Sequence, residues 1–149
     1  MIEAITENNI DEALPLIKQY LEFYKVADIC DQRNKIFFSQ FGPLSELGCQ
    51  FGYRLDGKLV GFATVYFSFS SSLCAKVGVL NDLFTLADAR GKGVGKALIQ
   101  HAHEYVIAQG ASRLQWLTAQ DNNQAQALYD SLDTKKSSWY FYSYNGEKK

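Results

Sequence analysis

The stretch from residue 76 to residue 110 constrains the fold of this chain more than any other. Residues 76–86 carry Val77, Val79, Leu80, Leu83 and Phe84. The segment is apolar on both faces, as a central strand is. A glycine-rich turn follows at residues 91–95, and then Val94, Ala97, Leu98, Ala102, Tyr105 and Val106 recur at helical spacing up to Gly110, a C-cap residue. A buried strand that passes through a tight turn into an amphipathic helix commits the chain to a layered α/β arrangement, with helices packed on a sheet.

The flanking sequence extends this pattern. Residues 1–7 alternate weakly and predict a first strand. Asn9 with Glu12 has the form of a capping box, and Ile10, Ala13, Leu14, Ile17, Leu21 and Tyr24 predict a helix that Pro15 kinks or delays. Residues 33–41 predict a second helix that stops near Gly42-Pro43. Residues 51–55 and 58–69 predict two strands joined at Asp56-Gly57, a two-residue hairpin turn. Leu114, Trp116 and Thr118 predict a short strand, residues 122–132 a helix, and the aromatic alternation of residues 139–144 a last strand.

Composition narrows the function classes. At 149 residues, with 47% hydrophobic and 21% charged residues, the chain has the size and content of one globular domain spanning residues 1–149. A net charge of −1 provides no broad positive field for nucleic acid or an anionic membrane. No apolar run approaches the ~20 residues that cross a bilayer, and residues 1–9, with Glu3 and Glu7, lack a signal-peptide pattern. Cys30, Cys49 and Cys74 are scattered and odd in number, which points to reduced thiols and a cytoplasmic setting. No metal site is expected, because His101 and His103 fall on different faces of a helix and no cysteine pair has ligand spacing. Residues 147–149 read as a solvated tail.

The glycine turn carries the chemistry. Successive backbone N–H groups at a helix start cradle an anion, and the helix dipole reinforces them. Glycine is required where φ is positive or where a phosphate comes closer than a Cβ permits. Arg90, Lys92 and Lys96 place positive charge around Gly91, Gly93, Val94 and Gly95. Together these features suggest pyrophosphate binding. A nucleotide P-loop requires a hydroxyl after Gly95-Lys96, where this chain has Ala97, and a dinucleotide fingerprint requires a third glycine where it has Lys96. A tight strand-to-helix connection without a ligand is the simpler alternative.

Arg90-x-x-Gly93-x-Gly95 resembles the acyl-CoA loop of the GNAT N-acetyltransferases. Residues 121–129, Asp-Asn-Asn-Gln-Ala-Gln-Ala-Leu-Tyr, resemble the family's second motif at the expected distance. Residues 61–63, Gly-Phe-Ala, followed by residues 80–84, Leu-Asn-Asp-Leu-Phe, are similar to diamine acetyltransferases, while residues 80–83 with residues 115–118 and 125–130 resemble more closely the small yeast acetyltransferases of histones, polyamines and D-amino acids. Two departures stand out. Asn81 replaces a glutamate of the diamine enzymes, and Asp133-Thr134 replaces the usual Gly-Phe.

The resemblance implies an α/β fold, a mixed sheet of about six or seven strands with about four helices. It implies an enzyme using acetyl-CoA to acetylate a primary amine of a small molecule, amino acid or protein by direct attack, and a homodimer. Leu83, Phe84 and Thr85 would line the pantetheine and residues 90–96 the pyrophosphate. Asn122, with Ala125 beside it, would meet the pantetheine, and Tyr129 would protonate the departing thiolate. Asn122 also suits a helix cap and Tyr129 a core aromatic. Asp82 is the nearest carboxylate to deprotonate the amine, whose pKa is roughly 10; a structural hydrogen bond at a strand end is the alternative. Tyr20, Phe23, Tyr24 and Asn81 are candidates for the acceptor side, with a core role the alternative for the three aromatics. A binding module that holds acyl-CoA without turnover would need the glycine turn but not Tyr129.

Overall fold

The computed structural model describes residues 1–146, so residues 147–149, expected to form a solvated tail, lie outside it. The chain divides into two units, Met1–Leu117 and a second from Thr118 onward.

The first unit is a five-stranded sheet with helices on both faces. Strand β1 is Ile2–Ala4, β2 Gly48–Leu55, β3 Lys58–Ser70, β4 Ala75–Thr85 and β5 Leu114–Gln115. They lie in sequence order, antiparallel except for the parallel pair of β4 with β5. The β2–β3 turn is the expected one. Asp56 and Gly57 both have positive φ, 51° and 77°, which matches the strand twist.

Helix α1 is Ile10–Phe23, α2 Asp31–Phe38 and α3 Val94–Ala108. Strand alternation shows which helix covers which face. On β3, Gly61 has no room for a Cβ because Val94 and Leu98 of α3 press against it, while its neighbour Phe62 stacks on Tyr20 of α1. Ile10, Ala13, Leu14, Ile17 and Phe62 join the core on the α1 side; Leu98, Ala102 and Val106 are buried on the other.

Several expectations are corrected. Pro15 lies within α1 without delaying its start at Ile10. Asn9 and Glu12 form no capping box. The Asn9 side chain accepts from Thr6 N at 2.7 Å and donates to Glu3 at 2.7 Å, while Glu12 pairs with Arg54. Helix α2 is shorter than residues 33–41 at its far end. The expected strand at 139–144 does not form, so the described residues hold five strands rather than six or seven. Aromatic alternation makes a strand only where a neighbouring backbone completes the ladder.

The second unit contains α4, Asn123–Asp130. Beyond it Thr134 closes back, its hydroxyl donating to the Tyr129 carbonyl at 3.0 Å. This is where the sequence departs from Gly-Phe. No helix among the described residues is long and apolar enough to cross a membrane.

Candidate active site

Two features of β4 build the site. The first is an open backbone edge. The β4–β5 pairing covers only Gly78–Leu114 and Val79–Gln115, whereas β4 runs on to Thr85. Leu86 N donates to Val60 O at 2.8 Å, so alternate residues Phe84 and Asp82 also bond toward β3. The N–H and C=O groups of Leu83 and Thr85 therefore face away from β3, and no strand of this unit pairs with them. The Thr85 carbonyl accepts from Arg90 Nε at 3.2 Å, which draws the turn's first cation to this edge.

The turn follows directly. One 3-10 turn, Ala87–Ala89, leads to Gly91 at φ 77° and Gly93 at φ 80°. A Cβ at either would meet nothing within 4 Å. Their glycine is thus a conformational requirement with open space in front of it. Gly93 is the N-cap of α3 and has no capping side chain. Ala97 N donates to Gly93 O, and the N–H groups of Val94, Gly95 and Lys96 have no partner among the described residues. Buried Val94 anchors the turn, while Arg90, Lys92 and Lys96 are exposed around it. Uncapped donors, a helix N-terminus and three cations favour an anion here.

The second feature is a bulge. Thr64 pairs with Asp82 and Val65 with Leu80, so Asn81 is an extra residue on β4. It reverses the alternation. Without it Asp82 would face α3; with it Asp82 lies on the α1 face, in register with Thr64. Asp82 is 6% exposed. Its Oδ1 accepts from Asn81 Nδ2 at 3.1 Å, and its Oδ2 is buried without a partner. Burial pushes its carboxyl above the usual range. Thr64, Tyr20 and Asn81 face it and oppose the rise, although the Thr64 and Tyr20 hydroxyls close no hydrogen bond of ordinary geometry to it. Tyr20 lies over the same place, with ring centres 5.6 Å from Phe62 and 6.2 Å from Phe84, and its hydroxyl reaches Asn81 O at 3.4 Å. Burial and the Asp82 charge push its phenol far above the ordinary value.

The structure thus brings together Tyr20, Asn81, Asp82 and Phe84, with Leu83, Thr85 and the turn Arg90–Lys96 on the adjoining edge. Tyr24 stacks on Tyr20 at 4.9 Å but is 54% exposed, and Phe23 is 61% exposed, so neither is core. In the second unit Asn122 caps α4, its Oδ1 accepting from Ala125 N at 3.2 Å. The cap occupies only the oxygen and leaves the amide nitrogen as a donor. Tyr129 is half-buried on α4. Sequence reasoning missed the bulge and missed Gln50, a fully buried polar residue on β2; the strand expected there began one residue later.

Comparison with known proteins agrees with this geometry. The sequence model of the acetyltransferase (GNAT) family matches residues 15–133. The chain is 33% identical over 116 residues to a Bacillus subtilis protein named as the uncharacterized N-acetyltransferase YhfO, covering 78% of this chain and 76% of that one. It is 26% identical over 147 residues to the D-amino-acid N-acetyltransferase HPA3 of Saccharomyces cerevisiae, covering 98% and 91%. Among solved structures, a probable acetyltransferase superposes with a TM-score of 0.85 at 26% identity, covering 100% of this chain and 99% of that one. The sheet edge, the uncapped glycine turn and these matches lead to one conclusion: the chain belongs to the acetyltransferase (GNAT) family and is an acetyl-CoA-dependent N-acetyltransferase.

Proposed function

We propose that this enzyme acetylates the primary amine of a small molecule, with a free amino acid the favoured class. The observation that carries the reading is the run from an unpaired strand edge into an uncapped helix N-terminus, beside a buried carboxylate. The CoA portion of the donor suits these residues. Leu83 and Thr85 offer backbone groups to pantetheine amides as an added strand would, and the N–H groups of residues 91–96 suit the pyrophosphate. For Asn122 and Ala125 the reading rests on the motif resemblance alone, which assigns the Asn122 side-chain amide to the pantetheine. Acetyl-CoA supplies the acetyl group as a thioester.

Asp82 takes a proton from the acceptor ammonium, directly or through one water, so that the neutral amine forms the new C–N bond as the C–S bond breaks. A carboxyl pushed upward by burial is a stronger base than an exposed aspartate. Tyr129 gives its hydroxyl proton to the departing sulfur, the second proton that the nitrogen sheds as the amide forms returns through water to the tyrosinate, and Asp82 releases its own proton to solvent. Tyr20 and Phe84 present aromatic surface beside Asp82, which suits a cation. The amino-acid class draws support from the yeast D-amino-acid relative. Three free cysteines, Cys30, Cys49 and Cys74, suit a cytoplasmic setting. The exposed aromatics of residues 139–144 suit burial in a homodimer.

The test is Tyr129→Phe. Turnover falls about a hundredfold or more if a general acid is lost, while acetyl-CoA affinity stays near wild type. Unchanged turnover with chemistry rate-limiting rejects the role.

A further inference from the structure

Gln50, Thr64 and Asp82 stand side by side across β2, β3 and β4, each in register with the next. Gln50 and Thr64 are both 0% exposed, so three polar side chains cross an otherwise apolar layer beneath α1. Polar groups are buried at a cost unless they are paired, and the pairing here is directional. Gln50 Nε2 donates to Thr64 Oγ1 at 3.2 Å. A threonine hydroxyl has one proton and two lone pairs. Once it accepts from Gln50, its own proton is left for another acceptor, and its cross-strand neighbour on the other side is the Asp82 carboxylate. An ionised carboxylate only accepts, so the one order open to the row is Gln50 to Thr64 to Asp82; its first link is formed, while its second, across to the unpartnered Asp82 Oδ2, is not drawn up to ordinary hydrogen-bond geometry. That order leaves Gln50 Oε1 buried without a partner, which an apolar residue at position 50 would avoid.

We propose that Gln50 and Thr64 are positioning residues for acetyl transfer, the Gln50 amide turning the Thr64 hydroxyl toward Asp82 and thereby fixing the carboxylate that receives the acceptor's proton. The proposal rests on the reading of Asp82 as the base. Burial raises the Asp82 carboxyl and the Thr64 hydroxyl opposes that rise. The other groups that face it are Asn81 beside it on β4, Tyr20 from α1 and Tyr66 from β3. Both phenols are themselves pushed above their ordinary range, so they stay neutral where Asp82 titrates.

The experiment is the pH profile of kcat/KM for Thr64→Val, Thr64→Ser and Gln50→Met, with acetyl-CoA affinity measured alongside. Thr64→Val moves the acidic limb upward by about one pH unit, a roughly tenfold loss below the limb, the scale of one hydrogen bond to a charged group. Thr64→Ser returns the limb to the wild-type position, Gln50→Met moves it the same way by less, and acetyl-CoA affinity is unchanged in all three. Should Thr64→Val not fold, Gln50→Met reads the same limb. An unmoved limb in the folded variants, with Asp82→Asn inactive, overturns the positioning role alone. Asp82→Asn with wild-type rate and profile overturns the base assignment and the inference with it.

Discussion

The two ends of α3 offer a controlled test of the anion cradle. Gly93, at its start, and Gly110, just past its end, both have positive φ, 80° and 91°, and a Cβ at either meets nothing within 4 Å. Alanine therefore carries the same cost at both: the left-handed conformation penalises an L-residue by roughly 1–2 kcal/mol, offset by about 0.4–1 kcal/mol from a stiffer unfolded chain. Each variant should lose about 1 kcal/mol and melt a few degrees lower. Ligand binding separates them. The two glycines flank a 15-residue helix, so they are separated by its full length of about 22 Å or more. At Gly93 the added methyl meets no atom of the protein within 4 Å beyond its chain neighbours, so a change in affinity reports an anion held in that open space. Losing one hydrogen bond to a charged phosphate costs about 1.5–3 kcal/mol, which is roughly a ten- to hundredfold weaker Kd. Calorimetric titration with acetyl-CoA should show this for Gly93→Ala, with Gly110→Ala at wild-type affinity. Equal affinities in the two variants, with equal melting shifts, would refute the cradle.

Other perturbations probe the frame around it. Because burial raises the Asp82 carboxyl, the folded state holds that proton more tightly than the unfolded one, and stability falls as pH rises from the ordinary value of 3.8 to the native one. Asp82→Asn removes that decline, so wild-type and variant melting curves diverge over this window; parallel curves contradict the burial argument. Glu3 behaves in the opposite sense. Arg54 first, and then Asn9, lower it from 4.5 to about 2, so its stabilisation is present above pH 4.5 and disappears as pH falls through 2. The advantage of wild type over Glu3→Gln should vanish in acid melts. At Gly78, where β4 packs under α3, an added Cβ would overlap a Val106 methyl and lie 2.9 Å from the Val106 Cβ. Gly78→Ala should cost about 1–3 kcal/mol in denaturant unfolding, and adding Val106→Ala should recover part of it.

The sequence made the strand–turn–helix unit legible because its signals are local. Apolar runs, glycines with positive φ and helical spacing each act within a few residues. The Asp56-Gly57 hairpin is legible for the same reason. The Asn81 bulge is not, because an extra residue in a ladder depends on the partner strand, and it decides which face Asp82 occupies. Gln50 escapes for a related reason: a glutamine reads as a surface residue until Thr64 is seen beside it. Asn9 and Glu12 show how a tertiary partner overrides a local motif, since Arg54 and Glu3 engage both side chains. The aromatic alternation of residues 139–144 carries strand propensity without a partner in the described residues.

The most direct measurement is acetyl-CoA-dependent thiol release against polyamines, L- and D-amino acids, aminoglycosides and basic peptides. The account predicts release that requires both acetyl-CoA and one class of amine, with the amino acids the favoured class, and that yields the N-acetylated product. Failure to bind acetyl-CoA, with no thiol release across the panel, would contradict it.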